Sequence, residues 1–292
     1  MKRNLLFIVN PISGIGKQKK IEEILQKYID HTLINYTVKY TEYIHHGKDI
    51  AKEAVEQGYY DAIVAVGGDG SVNDVVSGMI GSHVALGIIP CGSGNGLARN
   101  LKIPLTPIHA IEVLNHLKVA EIDTIVVNNR VVASIAGIGF DALVAKRMKE
   151  AKVRGLQAYA KIIINDYPTY KEHLFRMNID GREVERKAWF VSFANSNQFG
   201  YNTTIAPLAK LDDGLIDVCI VDRIPLLHLP LTAPLLYLNH FELSQHVEYY
   251  KAREVTVYNN DEEWVNIDGE GEKLGKELHF INTRKSLKVL VP

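Results

Sequence analysis

The chain has 292 residues, 47% of them hydrophobic, with 33 Lys or Arg against 34 Asp or Glu and a formal net charge of −1. That length and apolar share allow two domains with cores of their own. The balanced charge argues against a nucleic-acid partner held by phosphate neutralisation, and the two distant cysteines, Cys91 and Cys219, form no metal or redox spacing and suit reduced side chains of a cytoplasmic protein.

The first part of the chain alternates strand and helix. Leu5 to Asn10 reads as a strand, too short and too soon followed by proline for a signal segment. After the loop "PISGIGK", Ile21, Ile24, Leu25, Tyr28 and Ile29 share one helical face. Thr37 to Thr41 is a second strand, and Ile50, Ala51, Ala54 and Val55 mark a helix that Gly58 stops. A third strand, Ala62 to Val66, runs into "GGDGS", and Val72, Val75, Val76 and Met79 then recur at helical spacing. A fourth, Ala85 to Pro90, enters "CGSGNGLARN", and Thr106-Pro107 has the form of an N-cap and first helical residue. Short apolar strands alternating with helices predict a doubly wound parallel sheet.

The rhythm changes near residue 122. "IDTIVVNNRVVASIAG" reads as a hairpin about Asn128-Asn129, Phe140 to Asn165 as helical, and "FRMNIDGREVERKAWFVSFAN" as a hairpin turning at Asp180-Gly181. Further strands fit Leu215–Val221, Tyr249–Tyr258, Trp264–Ile267 and Leu287–Val291. The expected fold is therefore an N-terminal α/β domain over 1–122 and a mainly antiparallel, β-rich domain over 123–285, with the strand at 286–292 a candidate to return to the first domain. "IPLLHLPLTAPLLYL", Ile224 to Leu238, is uncharged but interrupted by prolines and too short to span a bilayer. It reads first as a buried, kinked segment, with a lipid-touching surface as the alternative.

Three loops follow three parallel strands: "NPISGIGK" at 10–17, "GGDGS" at 67–71 and "CGSGNG" at 91–96. Glycines let such a turn bring its N–H groups close to an anion at the carboxyl edge of the sheet. Walker A fails at Gln18, and Gly92, Gly94 and Gly96 have the wrong spacing for G-x-G-x-x-G. Gly137, Gly139 and Ala142 match G-x-G-x-x-A but lack a βαβ context. Asp69 would repel phosphate unless a cation such as Mg²⁺ mediates; its alternative is an Asx turn.

"NPISG", "VGGDGSVNDVVSGM" and "IPCGSGNGLARNL", with "AGIGFDALVA", "LAKLDDGLIDV" and "NIDGEG" further on, together resemble the diacylglycerol kinase catalytic-domain family, which includes bacterial lipid kinases, sphingosine kinases and ceramide kinases. The matches cover nearly the whole chain in order. The resemblance implies an α/β nucleotide domain, a β-rich lipid-binding domain, and ATP- and Mg²⁺-dependent phosphoryl transfer to a lipid hydroxyl. It implies that Asn10, Pro11, Ser13, Gly14, Thr41, Gly67, Gly68, Asp69, Gly70, Ser71, Asn73, Gly92, Ser93 and Asn95 hold the nucleotide. Asp213 would bind Mg²⁺ by its carboxylate, with the carbonyls of Lys210 and Leu215. Asp268, ahead of Glu270, would be the base that takes the hydroxyl proton. The implied partners are a lipid substrate and, transiently, a membrane surface; a cytoplasmic, peripheral location and a homodimer are compatible with it. Many bacterial diacylglycerol kinases read G-T-x-N-D where this chain has Gly92-Ser93-Gly94-Asn95-Gly96, a form closer to the sphingosine and ceramide kinases. Diacylglycerol or a similar glycerolipid leads as substrate, with a sphingoid base or ceramide second. A catalytically silent lipid- or nucleotide-binding regulator is the alternative of another class, against which stand Asp69, Asp268 and Glu270.

Other residues carry less. Asp212 and Asp213 beside Gly214 suit either a hard cation or a solvated turn. His45-His46 reads as surface, Arg99 as a phosphate contact or an ion-pair partner, and Asp141 as a headgroup contact or the N-cap of the following helix.

Overall fold

The structure is a computed structural model that describes residues 2–13, 17–150, 156–258 and 264–292. The chain divides into two compact units, one of residues 1–122 and 285–292 and one of residues 123–284.

In the first unit β1 (Arg3–Val9), α1 (Ile21–Tyr28), β2 (Ile34–Tyr40), α2 (His46–Gln57), β3 (Ala62–Gly67), α3 (Asp69–Met79), β4 (Ala85–Pro90), α4 (Gly96–Asn100) and α5 (Pro107–His116) follow one another. The strands pair in parallel in the order β2-β1-β3-β4. Every residue of β3 and β4 is buried, as expected for strands covered on both faces. Strand order reverses direction between β1 and β3, the place where open α/β sheets bind ligands outside their carboxyl ends. At the start of α5, Thr106 makes no side-chain cap; its hydroxyl instead meets His109 Nδ1 at 2.7 Å.

Helices α2 and α3 touch through Gly78. A Cβ there would lie 2.3 Å from the Lys48 carbonyl oxygen and 2.8 Å from Ala51 Cβ.

The chain then runs through β5 (Val119–Val127), β6 (Arg130–Val132), β7 (Ile135–Gly139), α6 (Phe140–Glu150), α7 (Leu156–Asp166), β8 (His173–Ile179), β9 (Arg182–Ala188), β10 (Phe190–Ala194), β11 (Gln198–Gly200), β12 (Thr203–Thr204), β13 (Ile216–Val221), α8 (Leu229–Tyr237), β14 (Val247–Ala252), β15 (Glu254–Tyr258), β16 (Trp264–Ile267), β17 (Glu270–Lys273) and β18 (Glu277–Leu290). Within the second unit one antiparallel sheet has the order β14-β13-β10-β7-β16-β17, and β18, β15, β8 and β9 form another antiparallel run. Their inner faces share one apolar core, with Phe193 stacked on Phe280 at 3.9 Å. A second apolar cluster, under α6, α7 and α8, covers the outer face of the first of these sheets. The expected fold class, a parallel-sheet unit followed by an antiparallel β-rich one, is the one observed. The last residues of β18 lie in the first unit and pair in parallel with β4, Lys288 with Ala85 and Val289 with Leu86.

Three local expectations are corrected. Tyr249–Tyr258 is two strands broken at Arg253, because the main-chain N–H groups of Arg253 and Glu254 turn to the Asp180 carboxylate. The helical stretch from Phe140 is two helices, with 151–155 outside the described residues. The run 224–238 is core on one side only: it forms a 3-10 turn and α8, with Ile224 and Thr232 buried but Leu226, Leu227, Leu231 and Leu238 exposed. Among the described residues no helix is long and apolar enough to cross a membrane.

Gly78→Ala is expected to cost about 1–3 kcal/mol, since the new methyl must push a backbone carbonyl. A lower Tm checks this; an unchanged Tm would mean that α2 and α3 separate freely.

Candidate active site

In the first unit the sequence brings three strand ends to one edge. Asn10, the residue after β1, donates its main-chain N–H to Val66 O, while Cys91 donates to Gly67 O and Thr41 to Val9 O. The Asn10 side chain reaches Ser71 Oγ at 3.2 Å and accepts the Ile12 N–H. Ser13 is buried with its hydroxyl on Asn10 O, and the Pro11 carbonyl accepts from Gln18. Gly14 lies outside the described residues.

Asp69 is the link between the second and third loops. Its two carboxylate oxygens accept the N–H groups of Asn95, at 2.8 Å, and Gly96, at 2.7 Å. Those amides open α4, so a carboxylate suits them. Burial pushes the Asp69 carboxyl up, and the two amides pull it back. Asn95 takes left-handed backbone, φ 55°, and closes its own loop through Gly92 N and O. Arg99 donates to the Gly94 carbonyl at 2.9 Å, a loop contact. Gly92 permits the close approach: a Cβ there would stand 2.5 Å from Gly68 Cα. Gly68 is the N-cap of α3, and no side chain caps that helix. A helix start of this kind offers its first-turn N–H groups to an anion. Asn73 is one turn further, its amide oxygen 3.4 Å from Ser77 Oγ, and Ser93 is exposed at the tip of the third loop.

In the second unit Asp268 and Gly269 form the turn of the β16–β17 hairpin, φ 48° and 93°. The Asp268 carboxylate does not face solvent. It is buried, and it accepts the N–H groups of Ala133, Ser134 and Ile135 at 2.8, 2.8 and 2.9 Å. Glu270, the first residue of β17, is half-buried and pairs with Ile267. Asn266 donates to Asp141 at 2.9 Å and accepts the Gly269 N–H. Asp141 is buried, and burial raises its carboxyl to about 6 against that single bond.

The loop 210–215 holds Asp213 between the Leu215 N–H, at 3.1 Å, and Lys251 Nζ, at 2.9 Å. Lys251 also faces Asp217 at 3.3 Å and Leu208 O. The Leu215 carbonyl accepts from Asn282. The donors Asp213, Lys210 O and Leu215 O are hard oxygens of the type Mg²⁺ takes, and Lys251, which Asp213 shares with Asp217, would compete with a metal for that carboxylate. Among the described residues no group of three His, Cys, Asp or Glu could hold a metal.

Sequence reasoning missed Asp123, Asn195 and Lys251. Asp123 is fully buried and accepts the Gly214 N–H at 2.7 Å; Asn195 donates to the carbonyls of Asp123 and Ala133. A lone aspartate between strand residues carries no motif. His45 is at the surface, as expected, with its ring 2.8 Å from Asp74 and its backbone left-handed, φ 65°.

Residues 4–127 match the diacylglycerol kinase catalytic domain, and residues 134–288 match the YegS C-terminal NAD kinase beta sandwich-like domain. The chain belongs to the diacylglycerol kinase catalytic-domain family. It is a lipid kinase of the diacylglycerol kinase type. A diacylglycerol kinase of Bacillus subtilis is 29% identical over 100% of this chain and 97% of its own length, and one of Staphylococcus saprophyticus is 27% identical over 100% and 96%. A solved diacylglycerol kinase of Bacillus anthracis has the same fold, with a TM-score of 0.79, 21% identity, and 99% of this chain and 97% of that one covered.

The raised Asp141 carboxyl gives a pH test. Its ordinary value is 3.8 and its folded value about 6. Below pH ~4 the group is protonated in both states; between pH ~4 and ~6 only the unfolded chain releases the proton, so stability falls as pH rises through that window and stays about 3 kcal/mol lower above it. Asp141→Asn should raise Tm at pH 7.5 and change nothing at pH 4. Equal melting of variant and wild type at pH 7.5 would reject the shift.

Proposed function

We propose that this enzyme transfers the γ-phosphoryl group of ATP to a hydroxyl of diacylglycerol or a similar glycerolipid presented by a membrane surface. The observation that carries the reading is the uncapped N-terminus of α3 beside the strand-order switch, with Asp69 holding the two glycine loops together. That arrangement suits nucleotide phosphates, which helix N–H groups and glycine backbone bind without side-chain bulk. The relatives named diacylglycerol kinase support the lipid.

Phosphoryl transfer asks the protein for position and charge more than for covalent chemistry. On this reading Asn10, Thr41, the loop 67–71 and the loop 92–95 orient the phosphates, and Asp69 acts by fixing the loops. Mg²⁺ would supply neutralisation of phosphate charge when bound with the nucleotide; Asp213 with the carbonyls of Lys210 and Leu215 would hold an ion, with Lys251 competing for the Asp213 carboxylate. The proton acceptor is Glu270. The resemblance puts Asp268 ahead of it, but three main-chain N–H groups bond the Asp268 carboxylate, which is the pattern of a structural clamp. As the lipid oxygen bonds to the γ-phosphorus and ADP leaves, Glu270 takes the hydroxyl proton.

The test is labelled ATP with diacylglycerol, sphingosine and ceramide in mixed micelles. Label is expected in phosphatidate, and Glu270→Gln should lower kcat by ~10²–10⁴-fold at unchanged Tm, while Asp268→Asn should lower Tm. If Glu270→Gln turns over normally and Asp268→Asn loses turnover at unchanged Tm, the base is Asp268. Label in a sphingolipid alone would move the substrate to that class. Nucleotide binding without label in any lipid would favour a silent regulator.

A further inference from the structure

A short exposed helix should be polar outside, and α8 is not. Leu227, Leu231, Pro234 and Leu238 are spaced four, three and four apart, which places them on one stripe of a helix. The stripe faces out: Leu227 is 84% exposed, Leu231 76% and Leu238 63%, with Leu226 at 69% and Tyr237 at 54% beside it. The other side holds the segment to the body, since Thr232 is buried and Leu229, Leu235 and Leu236 pack on the apolar cluster beneath. No charged side chain occurs from Ile224 to Leu238.

We propose that this stripe docks the enzyme on the surface of a lipid bilayer. The proposal deepens the lipid-kinase reading and rests on it for the reason to meet a bilayer, because the proposed substrate resides there. Four features choose a bilayer over a protein partner. The nine residues of α8 span only roughly 14 Å, so the stripe offers far less than the ~800 Å² that each partner of a stable dimer buries. Its side chains are leucines and Pro234, with no arginine and with Tyr237 as the single aromatic beside them, whereas several aromatic and arginine anchors concentrate energy at protein interfaces; a fluid acyl surface needs no shape match. Pro225 before the 3-10 turn and Pro230 in the first turn of α8 have no N–H, so the helix start presents fewer unpaired donors to hydrocarbon. Tyr237, at the far end of α8, has the apolar ring and polar tip that settle at headgroup depth.

The test uses the full chain and phosphatidylcholine vesicles in a sedimentation assay, with short-chain, water-soluble diacylglycerol as a second substrate. Each leucine is worth about tenfold in partition, so Leu227→Ser with Leu231→Ser should lower vesicle binding about a hundredfold. Tm, and turnover on the soluble lipid, should not change. Unchanged vesicle binding overturns the proposal, as does a wild-type dimer that the serine pair converts to monomer with vesicle binding intact. Leu231→Trp is an independent arm: its emission should shift to the blue on adding vesicles, and no shift overturns the proposal even if the serine pair folds poorly. Absence of transfer to the soluble lipid, with vesicle binding lost in the serine pair, would remove the lipid-kinase reading and leave the docking surface supported.

Discussion

The second unit is organised around one buried carboxylate. Asp268 gathers three consecutive main-chain N–H groups, and an aspartate so placed fixes the path of residues 133–135 before any side chain of that segment matters. Buried polar groups left unpaired cost a few kcal/mol each, so the hairpin turn and the entry to β7 hold each other in place. The order continues outward: Asn195 bonds the Ala133 and Asp123 carbonyls, Asp123 receives the Gly214 N–H, and the next residue back, Asp213, meets Lys251. A chain of polar contacts thus joins the β16–β17 turn to the 210–215 loop through the interior of one unit. Such a network is stiff when complete and expensive when broken.

The first unit solves a related problem with the same residue type. Two glycine loops must lie within backbone contact, and glycine alone supplies no force to hold them. Asp69 supplies it, at the start of one helix and reaching the start of the next. In both units an acidic residue that looks like a reagent in the sequence holds main-chain amides in place.

Much of the fold was legible because the hydrophobic pattern carries it. β3 and β4 are unbroken apolar runs, which only a sheet covered on both faces tolerates, and the Asp180-Gly181 turn has the pair that left-handed backbone selects. The glycine clusters gave away the loops. What stayed hidden has a common cause. Asp69 and Asp268 bond to amides, which every residue but proline possesses, so their partners leave no trace in composition. Lys251 finds Asp213 from 38 residues away. The leucines of α8 pointed to a core because a hydrophobic run states how apolar a segment is and not which way it faces.

The pairing of β18 with β4 bears on how the chain is made. β4 of the first unit takes its β18 neighbour from residues 288–289, although β1 to β4 all lie before residue 91. During synthesis those early strands emerge long before that one, and β4 must wait with one edge open while the whole second unit is translated. Open parallel edges recruit other strands. The interval between β4 and β18 is therefore a period in which this protein is exposed to mispairing, and a growing chain has reason to keep that edge shielded until β18 arrives.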